Sequence, residues 1–277
     1  MKRILTIQDI SCVGKCSLTV ALPIISSFGI ETSVLPTAVL STHTAFNGFT
    51  FRDLTSDMLS IAKHWKTQNI NFDSIYTGYL GSLEQIEIVS KIFDDFKTDK
   101  NFILVDPVMG DNGKLYHGFD QNFADRMSKL CSKADIIVPN LTEASFMLHQ
   151  EYVSEGYDEK YIINTLKKLS KLGAKISVLT DVSFNGKDLG VYGYDKENNE
   201  YFSYFREKLP ESFHGTGDVF ASTLLGAITK GNTPQKALEI AVDFTVESIK
   251  RTLDNKDRNW YGVDFEKALP YLINKIK

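Results

Sequence analysis

Gly215-Thr216-Gly217-Asp218 stands immediately ahead of an apolar run that continues to Thr229. The spacing predicts a helix whose first turn aims successive backbone N–H groups at an anion, with the positive end of the helix dipole behind them. Small residues there let a phosphate approach the backbone. Asp218 falls in that first turn, where a carboxylate can take a proton from a hydroxyl attacking a phosphoryl group. The same residues also suit an ordinary helix start, with Thr or Asp as cap and Gly for the turn. Spacing alone does not separate the two readings.

Other polar residues stand where short apolar runs end. Asp106, in Asp106-Pro107-Val108-Met109-Gly110-Asp111, could hold water-bound Mg²⁺ or cap a turn before proline. Asn140 and Glu143, in Pro139-Asn140-Leu141-Thr142-Glu143, fit a capping box and also a polar pair facing a metal and nucleotide. Tyr79, in Thr77-Gly78-Tyr79-Leu80-Gly81-Ser82, could stack on a flat ring or simply pack. Ser41-Thr42-His43-Thr44 is a small polar cluster, and Gln8-Asp9 and Thr180-Asp181 end two further runs.

Gly14-Lys15-Cys16 imitates a P-loop, but the motif's first glycine would fall on Asp9 and its Ser or Thr on Cys16. His43, His64, His117, His149 and His214 show no metal-ligand spacing. Cys12 and Cys16 lack the thiol pair or histidine that would complete a zinc site, and both read as buried small residues. No Gly-x-Ser-x-Gly elbow occurs, so a serine hydrolase is not indicated.

These residues need elements to place them. Apolar runs predict strands over Arg3–Ile7, Glu31–Leu35, Asp73–Tyr76, Phe102–Val105, Ile136–Val138 and Ile176–Leu179. Amphipathic segments between them predict helices over Ser17–Phe28, Asp53–Trp65, Ser82–Phe96, Gln121–Leu130, Leu141–His149 and Glu159–Leu172. Gly29 and Gly173 sit where helices end, and Ser82 suits an N-cap. Alternation of this kind argues for βαβ units and a mostly parallel sheet covered on both faces. Leu189–Tyr194 and Tyr201–Phe205 alternate instead and predict an antiparallel hairpin. Helices over Asp218–Thr229, Pro234–Leu253 and Asp264–Ile276 close the chain. Ligands of open α/β sheets sit outside the carboxyl ends of the strands, where the polar residues above fall.

The 277 residues suit one α/β domain, and no linker, repeat or low-complexity tract suggests a boundary within 1–277. Hydrophobic residues at 43% rule against disorder. A net charge of -4, from 31 basic and 35 acidic residues, argues against a nucleic-acid binder. No apolar stretch is long enough to span a membrane, and the N-terminus lacks signal-peptide character. Three cysteines cannot build a disulfide framework, so reduced thiols in the cytoplasm are expected.

Taken in order, the blocks give the chain its specificity. The sequence resembles the ribokinase-like superfamily, and within it the pyridoxal kinase family, over nearly its whole length. The Gly-Thr-Gly-Asp block marks the superfamily, while Thr77 to Ser82 and Ser41 to Thr44 point toward pyridoxal kinases. The Gly-Gly pair usual in the superfamily's sugar kinases is absent.

The resemblance implies a three-layer α/β/α sandwich with a mostly parallel central sheet and an antiparallel hairpin toward the C-terminal third. It implies ATP-dependent phosphorylation of the 5′-hydroxymethyl group of pyridoxal, pyridoxamine or pyridoxine, in vitamin B6 salvage to pyridoxal 5′-phosphate. By that likeness Asp218 is the general base, and Gly215, Thr216 and Gly217 form the anion hole. Asp106 and Glu143 stand near Mg²⁺ and the phosphates, with Asn140 beside them and Thr180 on the nucleotide phosphates. Ser203, Tyr204, Phe205 and Arg206 match a hairpin stretch near adenine and ribose. Thr44 and Tyr79 match positions facing the pyridine ring, with His43 in the same block. A homodimer of small-molecule specificity is expected.

Asp9 departs from the pattern, because many family members carry Ser there. A carboxylate could pair with a protonated ring nitrogen or with the amine of pyridoxamine. The first turn is also similar to that of the hydroxymethylpyrimidine kinases of thiamine synthesis, the alternative within the fold. A non-catalytic B6 sensor and a nucleoside kinase are further alternatives. Asp111 to Gly118, with two glycines, is the expected lid over the substrate.

Overall fold

A computed structural model describes residues 1–277. The fold is mixed α/β with mostly parallel sheet strands and an antiparallel hairpin. The chain divides into two compact units, one of Met1–Ser74 with Leu209–Lys277 and one of Ile75–Lys208.

The first unit opens with β1 (Arg3–Val13), α1 (Leu18–Ser27), β2 (Glu31–Thr42), β3 (Phe51–Asp53) and α2 (Thr55–Thr67). β1 runs parallel to β2, and β3 pairs antiparallel along the outer edge of β2. β1 is six residues longer than its apolar run predicts, because Asp9 and Ser11 continue the strand as buried polar residues. Their hydroxyl and carboxylate groups satisfy one another, which is what makes a polar strand end tolerable inside the protein. Across Gln8–Ile10, β1 advances two residues while β2 advances three, from Pro36 to Val39. This bulge falls at Asp9, and bulges re-aim side chains.

Gly29 takes φ 70 after α1, the left-handed conformation expected of a residue past a helix end. The predicted helix start at Asp53 lies in β3; α2 begins at Thr55, whose N–H donates to Asp53 Oδ1 at 2.7 Å.

The second unit carries β4 (Ser74–Thr77) from Ile75 on, then α3 (Leu83–Phe96), β5 (Phe102–Val105), β6 (Gly110–Asp111), β7 (Lys114–Leu115), α4 (Gln121–Cys131) and β8 (Ile136–Ile137). It continues with α5 (Leu141–Met147), α6 (Glu159–Leu172), β9 (Ile176–Val182), β10 (Asp188–Asp195) and β11 (Glu200–Glu207). Its strands lie in the order β4-β5-β8-β9-β10-β11. β5, β8 and β9 are parallel, and β9, β10 and β11 run antiparallel as the hairpin pattern predicts. Ser82 caps α3 by accepting from Gln85 N–H. Fully buried Ile103, Leu104 and Val105 explain why β5 reads as a continuous apolar run.

The chain then returns to the first unit as α7 (Thr216–Thr229), α8 (Pro234–Leu253) and α9 (Phe265–Lys275). Pro234 occupies the first turn of α8, where its missing N–H costs nothing. Ile4, Leu5, Ile7, Ile24 and Phe244 are fully buried in the core of this unit. No helix is long and apolar enough to cross a membrane.

Candidate active site

Gly215 is the N-cap of α7, in the left-handed region at φ 82, and no side chain caps the helix. The cap reading of Thr216 or Asp218 therefore does not hold: Thr216 Oγ1 donates instead to the Phe213 carbonyl at 3.1 Å. The first intrahelical bond is Val219 N–H to Gly215 O at 2.9 Å. The N–H groups of Thr216, Gly217 and Asp218 precede it and have no intrahelical acceptor. A Cβ on Gly215 would collide with the Lys15 carbonyl, so glycine is required there by both conformation and packing.

Gly217 is different. Its φ is not positive, and a Cβ on it would meet no atom within 4 Å. Nothing in the protein needs a glycine at this exposed first-turn position, and in a helix interior glycine is about 1 kcal/mol worse than alanine. An open cradle over free N–H donors fits a phosphoryl group approaching the backbone.

Asp218 lies half-buried behind that cradle. Burial pushes its carboxyl up to about 7; the Ser17 N–H pulls it down, and the Asp9 charge adds to the rise. A carboxylate poised near neutrality is what a general base requires.

Asp9, 4% exposed, accepts from Ser17 Oγ at 2.6 Å and from Ser11 Oγ at 2.9 Å. Burial raises its pKa, against the lowering effect of those two hydroxyls. Both oxygens are thus engaged inside the protein. The sequence reading of Asp9 as a partner for a ring nitrogen or amine did not foresee these bonds.

His43 Nε2–H donates to the Tyr261 carbonyl at 3.0 Å, while Nδ1 accepts from Ala45 N–H at 3.2 Å. That pairing fixes the neutral Nε2–H tautomer, and burial lowers its pKa. Phe46 and Trp260 stand around the ring at centroid distances of 5.0 and 6.0 Å. Trp260 is 59% exposed, a broad apolar face beside His43. Thr44, next along the chain, is exposed.

In the second unit, Asn140 and Glu143 form the capping box. Glu143 Oε2 accepts from Asn140 N–H at 2.9 Å, and Oε1 from Met109 N–H at 3.1 Å. Asn140 Nδ2 donates to the Gly110 carbonyl at 2.9 Å. The pair therefore clamps the turn after buried Asp106 onto the start of α5. Burial lifts the Glu143 carboxyl to about 8 against the pull of the Asn140 and Met109 N–H groups.

Thr180 pairs with Asn140 in a parallel bridge, which joins β9 to the same cluster. Asp181 follows at φ 59, its carboxyl raised to about 6 by burial and by Asp111, with Lys208 opposing. The expected lid, Asp111 to Gly118, holds the hairpin β6–β7, turned by Asn112 at φ 50 and Gly113 at φ 76. Two positive φ values suit the twist of a tight hairpin.

Tyr79 lies 5.7 Å from the Phe119 ring, which stacks on Phe123 at 3.8 Å. Ser203, Tyr204, Phe205 and Arg206 all lie in β11, so alternate residues face opposite sides of the sheet. Phe205 packs toward Phe184 at 5.6 Å, while the Arg206 guanidinium covers the Tyr204 ring at 4.4 Å. The four cannot all face one nucleotide.

The reading of Cys12 and Cys16 as buried needs correction: Cys12 is exposed and Cys16 half-buried. Cys12 falls at the end of β1, where the strand runs out to exposed Val13. Burial, then Asp218 and Asp9, push the Cys16 thiol up to about 12, so it stays protonated. Ser11, Ser17 and Lys15 are the residues that sequence reasoning passed over. Lys15 Nζ bridges Asp264 and Glu266 at 2.9 Å each, partners some 250 positions away that no local pattern reveals. Ser11 carried a signal only in its nearness to Asp9, and Ser17 carried none.

The chain as a whole is similar to known proteins. The phosphomethylpyrimidine kinase family model matches residues 25–261. A Bacteroides thetaiotaomicron protein provisionally named phosphomethylpyrimidine kinase, solved with pyridoxal, is 40% identical; the match covers 98% of this chain and 95% of that one, with a TM-score of 0.93. The Lactobacillus plantarum pyridoxal kinase is 28% identical over 99% of this chain and 97% of its own, with a TM-score of 0.90. The Dictyostelium discoideum pyridoxal kinase is 28% identical over 98% of this chain and 96% of its length.

Proposed function

The chain belongs to the phosphomethylpyrimidine kinase family and within it to the pyridoxal kinases, and from that premise we propose that it transfers a phosphoryl group from ATP to the 5′-hydroxymethyl group of pyridoxal, pyridoxamine or pyridoxine. The observation that carries this reading is the uncapped start of α7, with free N–H donors, an open Gly217 and Asp218 held near neutrality.

The chemistry follows from charge. Phosphoryl transfer needs positioning and stabilisation of oxygen charge rather than covalent help from the protein. The substrate hydroxyl gives its proton to Asp218 as its oxygen bonds to phosphorus, and ADP leaves. The N–H groups of Thr216, Gly217 and Asp218 take up the charge that grows on the transferring group. His43, with its tautomer fixed, and Thr44 are assigned to the pyridine side, and Tyr79 is a ring partner on the same likeness. Asp9 supports that side from within the fold. The nucleotide is assigned to Asn140, Thr180 and those residues of the Ser203 to Arg206 stretch of β11 that share one face of the sheet.

Mg²⁺ fits the hard oxygen donors of the second unit. No cluster of three or more His, Cys, Asp or Glu side chains is present to cage a metal. Mg²⁺ needs none: it keeps several waters and takes one or two carboxylates with substrate phosphates. Asp106 would hold it, with Glu143 beside it. Because backbone N–H groups already occupy both Glu143 oxygens, Glu143 acts best on the ion's waters. The ion would supply neutralising charge to the phosphates.

Residues 1–277 are proposed to work as one kinase domain, since the relatives run across the whole chain. A homodimer is also proposed: exposed Phe51 on edge strand β3 and exposed Val13 offer surface for a second copy, and light scattering tests it. Three free cysteines suit work in the reducing cytoplasm.

Hydroxymethylpyrimidine is the second reading, favoured by the name of the matching family. It keeps the same phosphoryl-transfer residues. A coupled ADP-release assay with Mg-ATP compares the three B6 vitamers with hydroxymethylpyrimidine, using Asp218→Asn as the blank. A higher kcat/KM for a vitamer is the expected result. Preference for the pyrimidine would move the substrate assignment, and no turnover of either would overturn the reading.

A further inference from the structure

We propose that Ser17 and Asp9 are positioning residues that set the protonation of Asp218, with Ser17 tying the two carboxylates together through its N–H and its hydroxyl. This inference rests on the assignment of Asp218 as base and deepens it.

Ser17 is the N-cap of α1, yet its side chain caps nothing. A serine at this position ordinarily accepts a hydrogen bond from the first turn of its helix. Here the hydroxyl donates instead to Asp9 Oδ1 at 2.6 Å. The backbone sits at φ 51 and ψ -133, a conformation that disfavours any residue with a Cβ. Glycine would relieve that strain but would remove the hydroxyl. The same strained residue turns its N–H to the Asp218 carboxylate. The start of α7 packs directly on this loop, as the closeness of Gly215 to the Lys15 carbonyl and the Cys16 Cα requires.

The charges around the pair leave it without a counter-ion. Asp9 receives two hydroxyls, from Ser17 and Ser11, and no cation is bonded to it. Lys15, close by in the loop, spends its ammonium on Asp264 and Glu266. His43 faces Asp9 from the end of β2; burial and the Ala45 N–H on its Nδ1 favour the neutral ring, against the opposing pull of the Tyr261 carbonyl and of Asp9 itself. His214 stands 5.3 Å from the His43 ring. Cys16 faces both carboxylates and remains a thiol. Asp9 and Asp218 therefore act on each other as like charges in a shielded site, where one charge makes the second harder to form. Asp9 is by this argument an internal group that tunes the base.

Two readouts test the coupling. One is the pH profile of kcat/KM; the other is the carboxyl ¹³C titration of Asp218 in aspartate-labelled protein, assigned by its loss in Asp218→Asn. In Asp9→Asn the Asp218 midpoint should fall by about one pH unit. One unit below the wild-type midpoint, the variant should then keep about a fivefold larger share of its own plateau rate. Ser17→Ala deprives Asp9 of a donor, leaves it more protonated, and should move the Asp218 midpoint the same way by a smaller step. A merely structural role would lower the plateau without moving either midpoint. An unmoved Asp218 carboxyl titration in folded Asp9→Asn overturns the proposal; if that variant does not fold, an unmoved titration in Ser17→Ala does so. The carboxyl titration needs no turnover, so a failure of the base assignment, seen as full activity of Asp218→Asn, is read separately.

Discussion

Gly217→Ala separates the needs of the fold from those of the reaction. Gly217 occupies the first turn of α7 without a positive φ, and an added Cβ would meet no protein atom within 4 Å. Alanine is the better helix former by about 1 kcal/mol in a helix interior, so the variant should gain roughly 0.5 kcal/mol of stability at this first-turn position. Urea denaturation followed by circular dichroism reads that gain.

The methyl group would project into the space over the free N–H donors. Displacing the reacting phosphoryl group by about 1 Å costs on the order of 10²-fold in rate. The expected variant is thus slightly more stable and about a hundred times slower in the ADP-release assay. Gly215→Ala is the contrasting case. At φ 82 and against the Lys15 carbonyl it should lose stability as well as activity. A Gly217→Ala protein with wild-type kcat/KM would refute the reasoning, since no phosphoryl group could then be using that cradle.

Asp218→Asn should fold and lose about 10²–10⁴-fold in turnover, measured by ADP release. For the wild type, activity should fall as pH drops through about 7, because the base must be deprotonated to act. Asp264 should matter for acid stability. Burial opposes its charge, but Lys15, Lys267 and Asn255 outweigh that and hold its carboxyl at about 2. A folded pKa below the unfolded 3.8 gives a contribution that is present above pH 3.8 and lost as pH falls through 2, worth about 2 kcal/mol. Asp264→Asn should flatten that part of the acid denaturation profile. Glu143→Ala would strand the buried Met109 N–H and open the capping box, at a cost of about 3 kcal/mol by urea denaturation.

The legible parts of the chain are those with local punctuation. α6 and α8 fall on their predicted residues because Asp158 and Gly173 bound one, and Pro234 opens the other. β5 is recognisable because both its faces are buried, which leaves an unbroken apolar run. The Gly-Thr-Gly-Asp block is legible as a helix start, but what distinguishes it from an ordinary one, a glycine N-cap with no side-chain cap, shows only in the fold.

Tertiary satisfaction is what the sequence conceals. Asp9 reads as a carboxylate offered to a ligand, because a strand end outside the sheet is where ligands sit. In the folded chain Ser11, two residues on, and Ser17, eight residues on, take up both its oxygens, and β1 continues past it. A hydroxyl two residues away in a strand is on the same face, so Ser11 could have been inferred from period alone. Ser17 could not: it bonds Asp9 from the start of α1 at a positive φ, and nothing in a serine announces that conformation.

Glu143 teaches the reverse. Its two readings, capping box and metal-side carboxylate, look exclusive in sequence; the fold forms the capping box, and the proposed metal-side role is compatible with that geometry. The carboxylate that accepts the Met109 and Asn140 N–H groups also fixes the turn carrying Asp106. Positioning therefore explains why a group so costly to bury stands at that point. Asp9 beside Asp218 follows the same logic in the other unit: a second buried acid, unexposed and saturated with hydroxyls, acts on the reaction through the carboxylate it faces.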